Sequence, residues 1–443
     1  MVVFWLALLA TLTIRYGSPT RVSLEQHALP FTMVFCLWIM GFYVAALYDL
    51  TLFREPLKLF RSYLEAMLAN LGIAFAFFYL LPIFNIAPRT NLFLDFVITL
   101  LLGYMWRMFF RRFVLERVEY ARVLYIGPVD GASDVYEMLR KSSLGLTLVA
   151  AISTQSASSV PSSLPIHWMH GLDRLAEVLK SERIQTIVLG VRLDQIPELQ
   201  RALYRAIFSS VLLVDRVELE ESATGRIPLS HVNETWFLEH LRESDKAWYE
   251  NTKRAFDVLL AIPFVLFTVF ILPWVALAIK LSSPGPIFYT QQRVGKAGKP
   301  IRIWKFRTMR VDAEKNGPQF TASTAHDPRV TVVGRWMRQL RIDELPQLWN
   351  VIRGDLSFVG PRPERPEFVA PLIEQMPYYN LRHLTRPGLT GWAQVNFLTP
   401  TSRLEDNLKK LQYDLFYIKR RSLLLDISIL LKTIGIVLRR QGT

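Results

Sequence analysis

Long runs without charge set the first limit on how this chain can fold. Ala28 to Tyr48 and Ala66 to Pro88 carry no charge, and Leu92 to Phe110 carries only Asp95 near one end and Arg107 near the other. A helix needs about 20 apolar residues to cross the hydrocarbon of a bilayer. The first two runs reach that length and the third nearly does. Met1 to Ile14 is also uncharged but short, which fits a start set downstream of the true first residue. It has no basic segment before it and no small-residue cleavage site, so it does not read as a cleaved signal peptide. Four spans are therefore expected, forming a membrane α-helical bundle over residues 1–115. Charged residues still make up 20% of the 443, so only part of the chain can lie in lipid. Two or three domains are expected from the length.

The basic residues orient the spans. Arg54, Lys58 and Arg61 fall in one connection, and Arg107, Arg111, Arg112 and Arg117 follow the fourth run. Both clusters belong on the cytoplasmic side, which leaves Arg15, Arg21 and Arg89 outside. The net charge of +14 suits anionic head groups or nucleotides. No long Lys/Arg run marks a nucleic-acid tail, and no nucleic-acid partner is expected. The single cysteine, Cys36, excludes an internal disulfide framework and a multi-cysteine zinc site. Its apolar surroundings suit packing or a lipid-facing position.

Residues 120–235 read as an α/β domain. Ala121 to Gly127 is a strand ending in glycine, Ser133 to Lys141 a helix, and Leu146 to Ile152, Ile184 to Val191 and Val211 to Val214 are further strands. Alternating strands and helices imply a parallel sheet, here Rossmann-like. The turn Gly127-Pro-Val-Asp-Gly131-Ala132 lacks the GxGxxG spacing, so the second close backbone approach to a pyrophosphate is missing. Ser153 to Ser163 reads as a surface loop.

Val258 to Ile279 is again long and uncharged, but Pro263 and Pro273 interrupt it, and proline breaks or kinks a helix. Basic residues flank both ends: Lys253 and Arg254 before, then Lys280, Arg293, Lys296, Lys299, Arg302, Lys305 and Arg307 after. A span should separate a basic side from a less basic one. A re-entrant membrane helix over 256–281 is expected instead, with its irregular backbone covered by protein.

Beyond it, Asp343 and Glu344 lie ahead of a turn-rich segment carrying Arg362 between Pro361 and Pro363. A carboxylate is ionised at neutral pH and can form an acyl phosphate. Mg²⁺ takes one or two carboxylates plus phosphate oxygens. On a regular helix adjacent side chains point about 100° apart, so one acid can serve the metal and the other the chemistry. Arginine forks onto phosphate oxygens, and the two prolines would present Arg362 from a rigid loop. Lys305 and Arg307 alternate with Trp304 and Phe306, as on one strand face. Arg386-Pro-Gly-Leu-Thr-Gly-Trp392-Ala-Gln394 is turn-rich and suits either nucleotide contact or a structural turn. Leu423 to Leu438, followed by Arg439-Arg440, suits either an interfacial helix or a packed one. His326 and His383 have no partner at metal-ligand spacing.

Five motifs occur in one order: Lys253-Arg-Ala-Phe-Asp257, Ser283-Pro-Gly-Pro-Ile-Phe-Tyr-Thr-Gln-Gln-Arg293-Val-Gly, Lys305-Phe-Arg307-Thr-Met, Asp343-Glu-Leu-Pro-Gln-Leu-Trp-Asn and Gly354-Asp-Leu-Ser-Phe-Val-Gly-Pro-Arg362-Pro. This series resembles the bacterial sugar transferases, the polyprenyl-phosphate hexose-1-phosphate transferases, over about residues 250 to 443. The spans and α/β module ahead of it resemble the large form of that family. Arg362-Pro-Glu-Arg-Pro-Glu367 resembles its exopolysaccharide subgroup. The resemblance implies a mixed α/β, monotopic catalytic domain over 250–443 at the bacterial inner membrane, with the soluble domains on the cytoplasmic face. It implies transfer of a hexose 1-phosphate from a UDP-sugar to undecaprenyl phosphate, with UMP released and magnesium required. Carried over, Asp343 is the nucleophile, Glu344 holds the metal or manages a proton, and both are metal candidates. Lys305, Arg307 and Arg362 become phosphate binders, with Arg386 and Gln394 as further substrate contacts. Membrane lipid is a partner, and homo-oligomerisation stays open, as does the sugar. The family's Ser-Pro break would fall at Val269-Phe270 here, so the hairpin is expected to turn at Pro273 or to share that role with Pro263.

Two other classes compete. An NAD-dependent nucleotide-sugar enzyme would need an intact dinucleotide loop and a Tyr-x-x-x-Lys pair, and Tyr136 is followed by Arg140. A non-catalytic scaffold of polysaccharide assembly would tolerate loss of the acidic pair.

Overall fold

A computed structural model of the chain describes all residues except 18–20, 55, 81–88, 116–119, 143, 154–163, 171, 173–174, 193–195, 207–210, 242–245, 314–326, 399–402 and 439–443. Expectations resting on Arg117, His326, Arg439-Arg440 and most of the serine-rich loop lie outside the described residues, as do those on the side chains of Arg21, Arg54 and Arg89. The chain divides into two compact units, Met1–Arg216 and Val217–Thr443.

The first unit opens with four helices: α1 Val2–Tyr16, α2 Arg21–Val44, α3 Pro56–Leu80 and α4 Arg89–Phe110. Segments of α2, α3 and α4 are long and apolar enough to cross a membrane; α1, at 15 residues, is shorter. Aromatic side chains fill the bundle, with Phe4, Phe31, Phe35, Trp38, Phe42 and Tyr63 all buried in one cluster. A sheet domain follows: β1 Ala121–Gly127, α5 Val129–Lys141, β2 Leu146–Ser153, β3 His167–His170, α6 Leu175–Ser181, β4 Thr186–Leu189, α7 Pro197–Ala206 and β5 Leu212–Asp215. All five strands are parallel, in the order β3-β2-β1-β4-β5. The alternation of strand and helix therefore gives the parallel α/β sheet it implies. β3, a four-residue strand rich in histidine, carried no strand signal in the sequence.

The second unit starts with α8 Arg216–Thr224, whose first residue closes the first unit, and α9 Glu234–His240. Ile227 and Phe237 are buried in its main core, and Glu221 pairs with Lys419 and Arg420 at 2.6 and 2.7 Å. The expected domain end at 235 thus falls inside this unit, because these side chains have their partners there. Next comes α10 Ala247–Ser282, then β6 Phe288–Val294 and β7 Pro300–Phe306, an antiparallel pair. α11 Val332–Gln339, α12 Gln347–Arg353, β8 Ser357–Val359, α13 Pro366–Gln375, β9 Gly388–Thr390, α14 Trp392–Asn396, α15 Leu404–Arg420 and α16 Leu423–Leu438 complete it.

α10 runs as one 36-residue helix through both prolines and, like segments of α2, α3 and α4, is long and apolar enough to cross a membrane. The expected break is not seen. Each proline removes one donor, leaving the carbonyls of Leu259 and Val269 without their helical partner, and the ladder resumes beyond. One face of α10 meets the second unit: Lys253, Asp257 and Ala261 near its start and Ile279 near its end are buried, and between them Val265 is partly buried on the main core and Leu272 and Val275 are partly buried beside Phe306 and Met337. The opposite face leaves Leu259, Phe270, Trp274 and Leu281 at least 70% exposed.

A buried polar network fixes the start of α10. The Asp426 carboxylate accepts from Lys253 Nζ, Tyr249 Oη and Tyr417 Oη, each at 2.8 Å. Arg254 donates to the carbonyls of Val351 and Ile352 at the end of α12, and Asp257 accepts from the Phe358 amide at 3.2 Å. Removing one member of a buried ion pair strands the other charge and costs about 3–5 kcal/mol. Asp426→Ala is accordingly expected to lower the melting temperature of the detergent-solubilised protein sharply, whereas Arg61→Ala, which breaks an exposed pair with Glu65, should leave it nearly unchanged.

Candidate active site

Asp343 and Glu344 sit on a single turn of 3-10 helix, Ile342–Glu344, between α11 and α12. The turn is set by Arg341, which ends α11's chain direction in the left-handed region at φ 55°. A non-glycine residue there is uncommon and marks local strain. With three residues per turn, neighbouring side chains diverge. Asp343 is buried, and its Oδ1 has no hydrogen-bond partner. Glu344 turns to the cations: its Oε1 lies 3.0 Å from Lys305 Nζ, 3.6 Å from Arg362 Nη2 and 3.9 Å from Arg341 Nη1.

The two acids are electrostatically unlike. Burial, and then the charge of Glu344, push the Asp343 carboxyl up to about 6, against the pull of Lys305, Arg338 and Arg341. Burial also works against charge on Glu344, but Lys305, Arg362 and Arg341 overcome it and hold that carboxyl at about 2. One acid is locked as an anion and the other titrates near neutrality.

The cations are presented by rigid elements. Lys305 comes from β7, opposite Tyr289 of β6. Arg362 follows β8, and its loop is held from several sides. Its carbonyl accepts from Arg382 Nη2 at 3.1 Å, while the same guanidinium is 2.8 Å from Asp414 in a fully buried pair. The Pro363 carbonyl accepts from Arg293 at 3.2 Å, and Glu364 pairs with Lys410 at 2.5 Å. Behind the loop, β8 and β9 approach so closely that a Cβ on Gly388 would lie 2.1 Å from the Gly360 nitrogen. Only glycine fits such an approach.

The structure thus gathers Asp343, Glu344, Lys305 and Arg362. It does not bring Arg307, Arg386 or Gln394 into that cluster. Both Nη groups of Arg307 donate to backbone carbonyls, of Pro284 at 2.6 Å and Ser283 at 2.7 Å, tying down the exit of α10. Arg386 pairs with Glu250 at 3.6 Å, and Gln394 donates to the Leu389 carbonyl at 3.4 Å. Their motif supports the Arg362 loop from behind. Arg338 and Arg341 were not singled out in the sequence, although their three-residue spacing just ahead of the dyad puts both on one helical edge. His383 is driven down to about 4 by burial and by Arg382, so it is neutral, with no ligand partner to assign it.

No group of three or more His, Cys, Asp or Glu side chains occurs among the described residues. A magnesium ion, which keeps several water or substrate oxygens and needs few carboxylates, fits the dyad, where Asp343 Oδ1 is unengaged. Beside the dyad lies an apolar pocket of ≈ 300 Å³ lined by Val265 and Leu272 of α10 with Phe288, Trp304, Leu345 and Trp349. Trp304 adjoins Lys305 in the chain and Leu345 adjoins Glu344, so apolar and charged surfaces meet there.

The sheet domain is filled at the place where such folds take a ligand. Parallel α/β sheets bind ligands where the strand order reverses, here between β1 and β4. The Tyr125 phenol fills that crevice: a Cβ on Gly131 or Gly190 would fall 2.0 Å from its oxygen. This disfavours a bound dinucleotide.

A family profile described as bacterial sugar transferase matches residues 248–440. The chain is 39% identical over 266 residues to the UDP-N-acetylgalactosamine-undecaprenyl-phosphate N-acetylgalactosaminephosphotransferase of Aeromonas hydrophila, covering 60% of this chain and 61% of that protein. It is 35% identical over 291 residues to the UDP-glucose:undecaprenyl-phosphate glucose-1-phosphate transferase of Escherichia coli K12, covering 62% and 59%. It is 41% identical over 187 residues to the exopolysaccharide production protein PSS of Rhizobium leguminosarum bv. phaseoli, covering 41% of this chain and 92% of that protein. The chain spans about three-fifths of the length of the first two.

The raised Asp343 value has a consequence for stability. A carboxyl that binds its proton more tightly folded than unfolded stabilises the fold at low pH, and that stability is lost as pH rises through the folded value, here about 6. Asparagine cannot ionise. Asp343→Asn is therefore expected to melt higher than the parent at pH 8, by on the order of 2 kcal/mol, with the gain vanishing towards pH 4. Melting curves across that range check this.

Proposed function

The chain belongs to the bacterial sugar transferase family, and from that premise we propose that it transfers a sugar 1-phosphate from a UDP-sugar to undecaprenyl phosphate, releasing UMP, as an initiating membrane step of exopolysaccharide synthesis. The observation that carries the reading is the division within the dyad: Glu344 is saturated by Lys305, Arg362 and Arg341, while the adjacent Asp343 keeps a buried oxygen unengaged.

Asp343 attacks the phosphorus next to the sugar. A bond forms from its Oδ to that phosphorus, the bond to the bridging oxygen of the diphosphate breaks, and UMP leaves with the electron pair. A phosphate oxygen of the lipid then attacks the same phosphorus and displaces the aspartyl oxygen. Both are in-line displacements in which positioning and charge neutralisation provide most of the acceleration. Arg362 and Arg341, each about two-fifths exposed, fork onto phosphate oxygens from the open side, and Lys305 adds a point charge. Magnesium bound by Asp343 and Glu344 would neutralise the diphosphate. Glu344, fixed as an anion, holds the cations in register.

The apolar pocket receives the first isoprene units of the acceptor. α10 lies with its covered face on the catalytic unit and its exposed apolar face in one leaflet, so the helix returns to the side it entered. Basic residues at both ends support the cytoplasmic face of the bacterial inner membrane as that side. The sugar is glucose or an N-acetylated hexose, the classes named for the relatives above.

Purified protein given undecaprenyl phosphate, magnesium and a panel of UDP-sugars is expected to release UMP from at least one, and Asp343→Asn to reduce release by about three orders of magnitude. Release unchanged in Asp343→Asn would refute the nucleophile. Since attack needs the ionised carboxyl, kcat/KM is expected to fall about tenfold per pH unit below about 6. Trp349→Ala is expected to raise KM for undecaprenyl phosphate while leaving KM for the UDP-sugar unchanged; equal effects on both would remove the lipid from the pocket.

A further inference from the structure

A stripe of polar positions runs through the membrane bundle and is satisfied at its ends but not at its centre. Asn91, Asp95, Thr99, Gly103 and Arg107 recur every four residues along α4, which places them on one face. At one end, Asn91 accepts from Arg15 Nη1 at 2.6 Å and lies 2.9 Å from the His27 ring and 3.5 Å from the Tyr16 hydroxyl. At the other, Tyr63 Oη donates to the Thr99 carbonyl at 2.9 Å, and Arg107 donates to the Gly103 carbonyl and lies over the rings of Tyr63 and Phe42.

The Arg15–Asn91 bond fixes the register of α1 against α4, which run antiparallel. Counting one turn inward on each helix from that bond brings Thr11 level with Asp95, and two turns inward brings Ala7 level with Thr99; α1 and α4 pack on each other. All four residues are fully buried. Yet both carboxylate oxygens of Asp95 and the hydroxyls of Thr11 and Thr99 have no hydrogen-bond partner. Polar side chains that hold membrane helices together do so by bonding one another, and these do not. An isolated carboxylate in such a setting is costly, and ionisable groups inside membrane bundles mark ion or proton sites. The titratable groups described on the packed helices are Arg15 and Tyr16 on α1, Glu25, His27, Cys36 and Tyr43 on α2, Lys58, Arg61, Tyr63, Glu65 and Tyr79 on α3, and Tyr104 and Arg107 on α4. None of them bonds Asp95, and Arg15 is held by Asn91.

We propose that the bundle binds one small monovalent cation here, with the Asp95 carboxylate as its counter-charge and the Thr11 and Thr99 hydroxyl oxygens as neutral ligands. A single carboxylate with neutral oxygens suits a unit charge better than a divalent ion, which gathers more acids. The shared chemistry admits sodium or a hydronium ion, and the polar cluster of Arg15, Tyr16, His27 and Asn91 forms the near end of the stripe. No step of the sugar-phosphate transfer uses this site.

Carbodiimide labelling of Asp95 in the full-length detergent-solubilised protein, read by peptide mass spectrometry, tests it. The reagent reacts with the protonated carboxyl. Labelling is expected in sodium-free choline buffer, with its loss in Asp95→Asn. Suppression by added sodium at fixed pH identifies sodium; suppression by rising pH alone identifies the proton. Thr11→Val or Thr99→Val should weaken sodium's suppression while leaving the label in choline. Labelling that ignores both sodium and pH, or its complete absence, overturns the proposal. So does labelling that appears only in Arg15→Gln, which would assign Arg15 as the counter-charge. The readout is independent of UMP release.

Discussion

Asp426 accepts from Lys253, Tyr249 and Tyr417 where no water reaches, and this network decides how an apolar helix is joined to a polar catalytic unit. The three donors come from two elements, α10 and α15, and the acceptor from a third, α16. Tyr417 also reaches the Val359 carbonyl at 3.2 Å, so the network touches β8, the strand that leads into Arg362. A buried ion pair is weak evidence for net stability, but it penalises every arrangement that separates its members. The depth and rotation of α10 are therefore tied to the same strand that presents a phosphate-binding arginine.

A second buried pair, Arg382–Asp414, acts at the other end of that loop. Its guanidinium bonds the Arg362 carbonyl, while Lys410 and Arg293 hold the next two residues. The side chain of Arg362 stays partly open to solvent although its backbone is fixed. That combination suits a group that must meet an anion without paying to order itself. The dyad follows the same logic. Three cations fix Glu344 as an anion, and its charge then joins burial in raising Asp343. Two adjacent carboxyls with their proton affinities pushed apart can take different roles.

Much of this was legible in the chain. Uncharged length marked α2, α3, α4 and α10, and the strand–helix alternation gave the parallel sheet. The dyad, Lys305 and Arg362 stood out because their residue types and spacing already describe phosphoryl chemistry. What the chain alone does not reveal depends on tertiary partners. Arg307 reads as a phosphate-binding strand cation, and in the structure its two Nη groups donate to the Ser283 and Pro284 carbonyls at the end of α10. Arg386 and Gln394 read as substrate contacts, but backbone crowding between Gly360 and Gly388 makes their segment a buttress. Pro263 and Pro273 read as a break, but the helix continues beyond each because only one donor is lost per proline. Residues 217–241 find their burial in the later unit, which local pattern cannot reveal.

The two faces of α10 then make sense together. Here the catalytic unit buries the start of the helix at Lys253, Asp257 and Ala261 and its end at Ile279, while most of the apolar stretch between, from Ile262 to Leu277, is exposed or half-buried. Were α10 to span, the polar unit lying along it would have to enter the hydrocarbon with it, at the cost of burying Lys305, Arg341 and Arg362 in lipid. A helix lying in one leaflet avoids that cost. On the proposed reading it would also set the apolar pocket, which α10 itself helps to line, where an isoprenoid tail could leave the membrane with its phosphate towards the cations around Glu344.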